Sequence, residues 1–393
     1  MSPRDWTALA ALKRQGDAIA EVFTAAGYRP IAPDILQPAD VFLDRYGEEI
    51  RSRTYVFTAP DGAELCLRPD LTIPACRYHL ALDPRAAGEA RYCYAGPAFR
   101  FQAGGETGAR PREFGQAGVE FFGGADAEAA DAEVLGLADR SLRAAGLGTF
   151  SIHIGDLGLF AALVDGIAMP DRWRRKLKQR FWRPLAFRSL LARLSGHELA
   201  ARNDGHETLL AEVHGLDRTG AVAVVDRLLG ERDIPLVGSR GLDEIAGRLL
   251  EQAADANEVD LPEETVATIS AYLATEGHPR QARDRIAALV GPHAPAMHRA
   301  LAAFSRRLDL IEEGGVRLDD CLFSAEFGRN LEYYTGFVFQ LEAPGGGPGS
   351  QVAGGGRYDN MLADLGAPAR VPAVGLAIHT ERLLVAVAAE GPR

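Results

Sequence analysis

The side chains best suited to chemistry lie where hydrophobic patterning predicts strands, and a charge on a buried strand needs a partner or a ligand. Arg100 ends one such segment, 91–101 (RYCYAGPAFRF), while Gln116 and Glu120 stand four residues apart on the next, 112–123 (REFGQAGVEFFG). Strand residues alternate faces, so Gln116 and Glu120 point the same way. A second polar group, Arg329, Tyr333, Tyr334, Arg357, Tyr358, Glu381 and Arg382, falls in segments otherwise rich in apolar residues. Carboxylates of this kind can hold an ammonium group, and Arg or Gln can hold a carboxylate, so the set suits an amino acid. Taken singly, any of these residues also reads as half of a structural ion pair. The usual enzyme signatures are missing: no GxxxxGK(S/T) phosphate loop, no GxGxxG opening a helix after a strand, no HExxH and no GxSxG elbow. The glycines of 345–356 read either as a cradle of N–H groups for phosphate or as a hairpin loop.

These residues need a sheet to position them. Trp6, Leu9, Leu12, Ile19 and Phe23 recur at helical spacing, and Gly27 supplies a stop, which predicts an amphipathic helix over 4–26. Tyr55–Thr58 and Glu64–Leu67 flank Pro60-Asp61-Gly62, a turn that predicts a β-hairpin. Segments 91–101 and 112–123 form a second strand pair, followed by a helix at 126–145 and a strand at 149–155. Successive hairpins imply an antiparallel sheet. Leu, Ala, Arg and Glu at helical period then dominate to about 317, broken by Pro170, Pro184, Pro235, Pro262 and Pro279. Strand signals return at 321–324 and 333–342, then a helix near 358–365, a strand at 372–378 and a closing helix from Thr380. The expected organisation is an α+β core made of 1–165 and 318–393, split by a helical insertion at 166–317.

The chain has 393 residues, 47% hydrophobic and 25% charged, ordinary material for a globular protein of two domains. Cys66, Cys76, Cys93 and Cys321 form no CxxC pair and read as small buried hydrophobes of a reducing compartment. The charged N-terminus lacks the apolar core of a signal peptide and no 18-residue apolar run occurs, so a cytoplasmic protein with no membrane partner is expected. A net charge of −11 counts against a nucleic-acid partner. The exception is a basic stretch, Arg172, Arg174, Arg175, Lys176, Lys178, Arg180, Arg183, Arg188 and Arg193, interleaved with Trp173, Phe181, Trp182 and Phe187. It reads as an amphipathic helix with inward aromatics, or as a grip on a nucleic acid or an acidic protein.

At these same residues the sequence resembles histidyl-tRNA synthetase over nearly the whole chain. Gly27-Tyr28 followed by Pro33 is similar to class II motif 1, and Leu67-Arg68-Pro69-Asp70-Leu71-Thr72 to the LRPEGT segment. Phe99-Arg100 with Arg112-Glu113-Phe114-Gly115-Gln116 and Gly118-Val119-Glu120 resembles motif 2. Arg329-Asn330-Leu331-Glu332-Tyr333-Tyr334-Thr335-Gly336 is similar to RGLDYYTG, and Gly355-Gly356-Arg357-Tyr358-Asp359 to GGRYD. Val374-Gly375-Leu376-Ala377 with Glu381-Arg382-Leu383 resembles motif 3. The resemblance implies a class II synthetase-like antiparallel sheet flanked by helices, a homodimer, and a histidine pocket of Asp70, Thr72, Gln116, Glu120, Arg329, Tyr333, Tyr334 and Tyr358. By it, Asp70, Thr72 and Glu120 would meet the α-amino group, Gln116 and Arg329 the carboxylate, and Tyr334 and Tyr358 the imidazole side. Arg100 and Arg382 match arginines that hold ATP phosphates.

Departures from the pattern choose between branches of the family. Only eleven residues follow Arg382, which leaves no room for an anticodon-binding domain of roughly a hundred residues, so no tRNA partner is expected. Asp70 and Leu71 replace the Glu and Gly of RPEGT, a form similar to the RPDLT of the biosynthetic paralogues. Gln102 stands where FRxE has its carboxylate, and the loop after it lacks ERPQ. The resemblance therefore implies no catalytic residues, metal or cofactor of its own, and the role of regulatory subunit to the catalytic subunit of ATP phosphoribosyltransferase. In such a hetero-oligomer, L-histidine would act as feedback effector. A truncated synthetase or a histidine-adenylating ligase is the alternative.

Overall fold

The computed structural model describes residues 5–43, 51–102, 105, 111–195, 204–231, 241–256, 261–289, 295–328, 333–347 and 349–391. The chain divides into two compact units, one of Met1–Pro184 with Thr268–Arg393 and one of Leu185–Ala267. The helical stretch expected over 166–317 is thus shared. Its ends belong to the first unit, where helix Pro295–Glu313 packs on helices Ala127–Ala144 and Leu157–Gly166. The second unit contains helices Asp204–Val213, Arg218–Glu231 and Leu242–Ala256, around Val213, Ala221, Val225, Ala246, Leu249 and Ala253.

The first unit is built on a nine-stranded sheet. Strands β1 (Arg29–Pro30), β5 (Ala90–Phe99), β6 (Glu113–Phe122), β7 (Ser151–Asp156), β8 (Glu276–Gly277), β9 (Cys321–Ser324), β10 (Phe337–Glu342), β11 (Gln351–Arg357) and β12 (Ala373–His379) run in the order β1-β5-β6-β12-β11-β10-β7-β9-β8. The six central strands, β5 to β7 in that order, are antiparallel as expected. The sheet as a whole is mixed, because β1 joins β5, and β9 joins β7, in parallel. The Asp61-Gly62 hairpin forms, with Gly62 at φ 90°, but it belongs to a separate three-stranded sheet, β2 (Leu36–Pro38), β4 (Glu64–Leu67) and β3 (Tyr55–Thr58). Among the described residues no helix is long and apolar enough to cross a membrane.

Local chemistry sets the helix ends. Asp5 accepts from Ala8 N at 2.8 Å to open helix Trp6–Ala25, and Gly27 at φ 85° turns the chain after it. Asp126 caps helix Ala127–Ala144 in the same way, at 3.1 Å from Ala129 N. That helix carries Asp131, 0% exposed, across the back of the sheet. Asp131 accepts from Arg307 Nε at 2.8 Å and from Arg357 Nη2 at 2.7 Å. Arg307 also reaches Asp156 at 2.8 Å, and Arg357 reaches Asp359 at 2.9 Å. Five charges from two helices, β7, β11 and the residue after Tyr358 are thereby joined out of water.

Removing one member of such a network leaves its partners charged, buried and unmatched, which typically costs about 3–5 kcal/mol. Asp131→Asn is expected to lower the urea unfolding free energy by about 3 kcal/mol, while a variant at the exposed pair Lys13 and Asp17 shifts it by well under about 1 kcal/mol. Equal losses in the two variants would show that the buried network contributes nothing special.

Candidate functional site

Alternation along four neighbouring strands brings one set of side chains to one face. Register pairs Glu120 with Gly375, Gly375 with Gly356, and Gly356 with Val338; it likewise pairs Gln116 with His379 and Gly354 with both Ala377 and Gln340. The centre of this face is therefore glycine, with polar residues around it. A cavity of about 590 Å³ opens over it. A Cβ at Gly375 would overlap Glu120 Oε2, and one at Gly355 would overlap the Gly375 carbonyl, so only glycine lets strands and carboxylate approach this closely.

Asp70, Thr72, Gln116, Tyr333, Tyr334 and Tyr358 all line this cavity, as do Arg100 and Arg382. Arg329 lies outside the described residues. Glu120 is placed one layer beneath the wall, 1% exposed, where Tyr94 donates to its Oε1 at 2.8 Å and Tyr358 donates to its Oε2. Burial pushes its carboxyl up to about 8, against the hydrogen bonds of Tyr358, Tyr94 and Thr72, and the neighbouring Asp70 pushes the same way. Asp70, also buried, is raised by desolvation and held back by the charge of Arg100 and the N–H groups of Ile73 and Thr72. Two carboxyls thus share one dry corner.

Gln116 is fixed by a backbone N–H from the segment before helix Thr72–Leu82. Leu71 N donates to its Oε1 at 2.9 Å, which leaves the amide N–H groups as the donors it can offer a ligand. Tyr333 and Tyr334 sit with ring centroids 4.5 Å apart, and Tyr333 meets Tyr358 edge-on at 6.0 Å. Together they make an aromatic wall with three hydroxyls.

The other end of the cavity is cationic. Arg100 donates from Nε to Pro69 O at 2.8 Å and lies 5.1 Å over the Phe114 ring. Arg382 donates to Gln351 O at 3.1 Å, and Arg53 to Gln102 Oε1 at 3.3 Å. His379 stands among them, 4.8 Å from Phe114, its imidazole held well below its ordinary pKa by burial and then by Arg382 and Arg100, hence neutral. An acid corner, an amide, tyrosines and a guanidinium end can hold an amino-acid zwitterion and, beside it, an anion.

Sequence reasoning missed Arg53, His379, Phe327, Gln340 and Glu342, all on the cavity wall. His379 was within reach, because it alternates with Gly375 and Ala377 along β12, and Gln340 and Glu342 alternate likewise on β10. Arg53 carries no such signal, since it lies in a turn two residues before β3 of the small sheet.

The family described as histidyl-tRNA synthetase matches residues 1–383. The ATP phosphoribosyltransferase regulatory subunit of Brucella anthropi is 35% identical over 90% of this chain and 92% of its own, and that of Brucella ovis 35% over 89% and 90%. Among solved structures, an ATP phosphoribosyltransferase regulatory subunit/histidyl-tRNA synthetase from Bacillus halodurans superposes with a TM-score of 0.67 at 22% identity, over 98% of this chain and 82% of that one. A histidine–tRNA ligase subunit from Alicyclobacillus acidocaldarius gives 0.60 at 23% identity, over 100% and 97%. These two structural likenesses speak for the fold.

The raised carboxyl of Glu120 has a sign that can be measured. Between the unfolded value near 4.5 and the folded value of about 8, the native chain holds the proton and the unfolded chain does not. Stability from this group is therefore lost as pH rises through that window. Denaturation midpoints across pH 5 to 8 are expected to fall more steeply for the natural chain than for Glu120→Gln, by on the order of a few kcal/mol across the window. Parallel curves would mean that Glu120 is ionised in the fold throughout.

Proposed function

The chain belongs to the histidyl-tRNA synthetase family and, within it, to the ATP phosphoribosyltransferase regulatory subunits, and on that footing we propose that it binds L-histidine in the cavity and conveys its level to a separate catalytic subunit. The observation that carries the reading is identity of 35% with named regulatory subunits along nearly the full length of both chains. The cavity supports it chemically. The α-ammonium would lie at Asp70 and Thr72, with Glu120 acting from beneath through Thr72 and Tyr358. The carboxylate would meet the Gln116 amide and Arg329, and the imidazole the hydroxyls of Tyr333, Tyr334 and Tyr358. Regulation then follows by linkage: histidine shifts the catalytic subunit only if the active and inhibited assemblies bind it with different affinity.

In this reading the chain is not itself catalytic, forms a homodimer through its sheet-bearing unit, and works in the cytoplasm. Arg100 and Arg382 would hold the phosphates of a nucleotide, and their presence on the wall favours a second reading, an enzyme that activates histidine as an adenylate. Adenylation needs the histidine carboxylate in line with the α-phosphate, and about 1 Å of misplacement can cost on the order of 100-fold in rate. Asp70, a methylene shorter than glutamate, sets the ammonium back from that position.

Calorimetry is expected to find histidine binding, weakened by Asp70→Asn by about 1.5–3 kcal/mol, the range for a charge-assisted hydrogen bond. An ammonium ion favours ionised carboxyls at Asp70 and Glu120, so binding should release protons and tighten from pH 6 to 8, with the release counted in buffers of different ionisation enthalpy. The paired catalytic subunit should form phosphoribosyl-ATP only with this chain present, and histidine should suppress the reaction. Histidine-dependent exchange of pyrophosphate into ATP within about tenfold of a typical enzyme turnover would replace this reading with the adenylating one.

A further inference from the structure

The basic helix Asp171–Arg180 and the residues to Arg183 lie in the first unit and take no part in the cavity. Seven basic residues stand there against one acidic, a net +6 in a chain of net −11. The inner face is apolar. Trp173, Leu177 and Phe181 are buried, and Phe181 stacks on Phe160 with centroids 3.7 Å and planes 9° apart. Two cations are used internally. Arg174 donates to the carbonyls of Val164 and Ile167 at 3.2 Å and of Met169 at 3.4 Å, closing the C-terminal end of helix Leu157–Gly166, and Lys178 pairs with Asp165 at 2.7 Å. Arg175 and Arg180 are exposed on the outer side, about 140° apart around the helix, and Arg183 follows directly, while the half-buried Arg172 and Lys176 lie over the Trp173 ring at 4.8 and 5.6 Å.

Like charges three and four residues apart destabilise a helix. Several arginines elsewhere on the first unit are matched: Arg91 with Glu133, Arg143 with Asp139, Arg280 with Asp309 and Glu312, Arg306 with Asp126 and Glu128. Arg175, Arg180 and Arg183 are exposed, and none has a carboxylate partner among the described residues. Of these, Arg180 and Arg183 stand three residues apart, and their repulsion is uncompensated among the described residues.

We propose that this face is a docking surface for acidic side chains of a protein partner, which, resting on the reading above, is the phosphoribosyltransferase catalytic subunit. The interleaved aromatics argue for carboxylates over nucleic acid. Trp173 and Phe181 are buried, and Arg183 covers the Trp182 ring at 4.1 Å, so these rings are not free to stack on bases. The net −11 of the whole chain repels a long polyanion, whereas a compact acidic patch meets only the local +6.

The test uses the full chain and its catalytic subunit, with affinity measured at 50 and 300 mM salt. Arg175→Glu, Arg180→Glu and Arg183→Glu together are expected to weaken association about 30-fold or more at low salt and to remove most of its salt dependence. The same three changed to Gln should give an intermediate loss. Histidine binding and the thermal midpoint should stay unchanged in both variants. If the natural chain associates and the charge-reversed one does so equally well, the docking surface is refuted while the regulatory reading stands. If the natural chain does not associate, the reading and the surface fall together. Submicromolar, salt-sensitive binding of the cognate tRNA that the Glu variant loses would overturn the choice of partner.

Discussion

One buried carboxylate shared by two guanidiniums connects the ends of the chain to the cavity. Asp131 comes from a helix early in the sequence, Arg307 from a helix that returns after the second unit, and Arg357 from the end of β11. Such a network costs desolvation, and its net contribution to stability is small against an apolar equivalent. Its effect is on position. Arg357 is held by Asp131 and Asp359 on either side of its fork, so the residue between them, Tyr358, has little freedom. Tyr358 in turn donates to Glu120 under the cavity wall. Through this sequence of contacts, charges on the back of the sheet set the hydroxyl that controls the carboxyl on its front.

The cavity is polarised by construction. Its acid corner comes from β6 and the turn before helix Thr72–Leu82, while its guanidinium end comes from the end of β5, the residues before β3, and the helix after β12. Between them the floor is Gly354, Gly355 and Gly375, backbone with no side chain to fill the space. The floor is fixed by packing as much as by ligand access, because Glu120 occupies the volume a Cβ on Gly375 would need. A neutral His379 among three arginines fits the same logic, since a fourth positive charge there would raise the cost of an already crowded end.

Much of this was legible in the sequence, for identifiable reasons. Period-two alternation on 112–123 placed Gln116 and Glu120 on one face, and the Asp61-Gly62 turn announced its hairpin. Long-range pairing was not legible. The parallel pairings rest on β1 and β9, two and four residues long, too short to carry a pattern that names their partners. The small sheet took the hairpin because Leu36–Pro38 pairs with β4, a partner that local signals do not name. Asp131 sits in an Ala/Glu/Leu-rich helix where one more acid looks solvated, and its partners are 176 and 226 positions away. Gln102 read as a lost carboxylate; the structure gives it a task of its own, accepting from Arg53 and donating to Pro111 O at 3.2 Å.

A sensor and a catalyst ask different things of one cavity. A catalyst must bind the transition state better than the ground state, so it needs reacting atoms aligned and little else left to relax. A sensor must make binding change the free energy of a larger assembly, so a strained ligand-free state is useful to it. Burial raises the pKa of both Asp70 and Glu120, and the charge of Asp70 raises that of Glu120 further. An ammonium group placed there would favour their ionised forms and offset that penalty. The Tyr358 bond to Glu120 then becomes one to a full carboxylate, which is the stronger form. Tyr358 is coupled through Arg357 and Asp131 to helix Pro295–Glu313 on the far side of the sheet. A ligand's charge in that corner would therefore be felt by groups that never touch it, which is the physical condition a regulator has to meet.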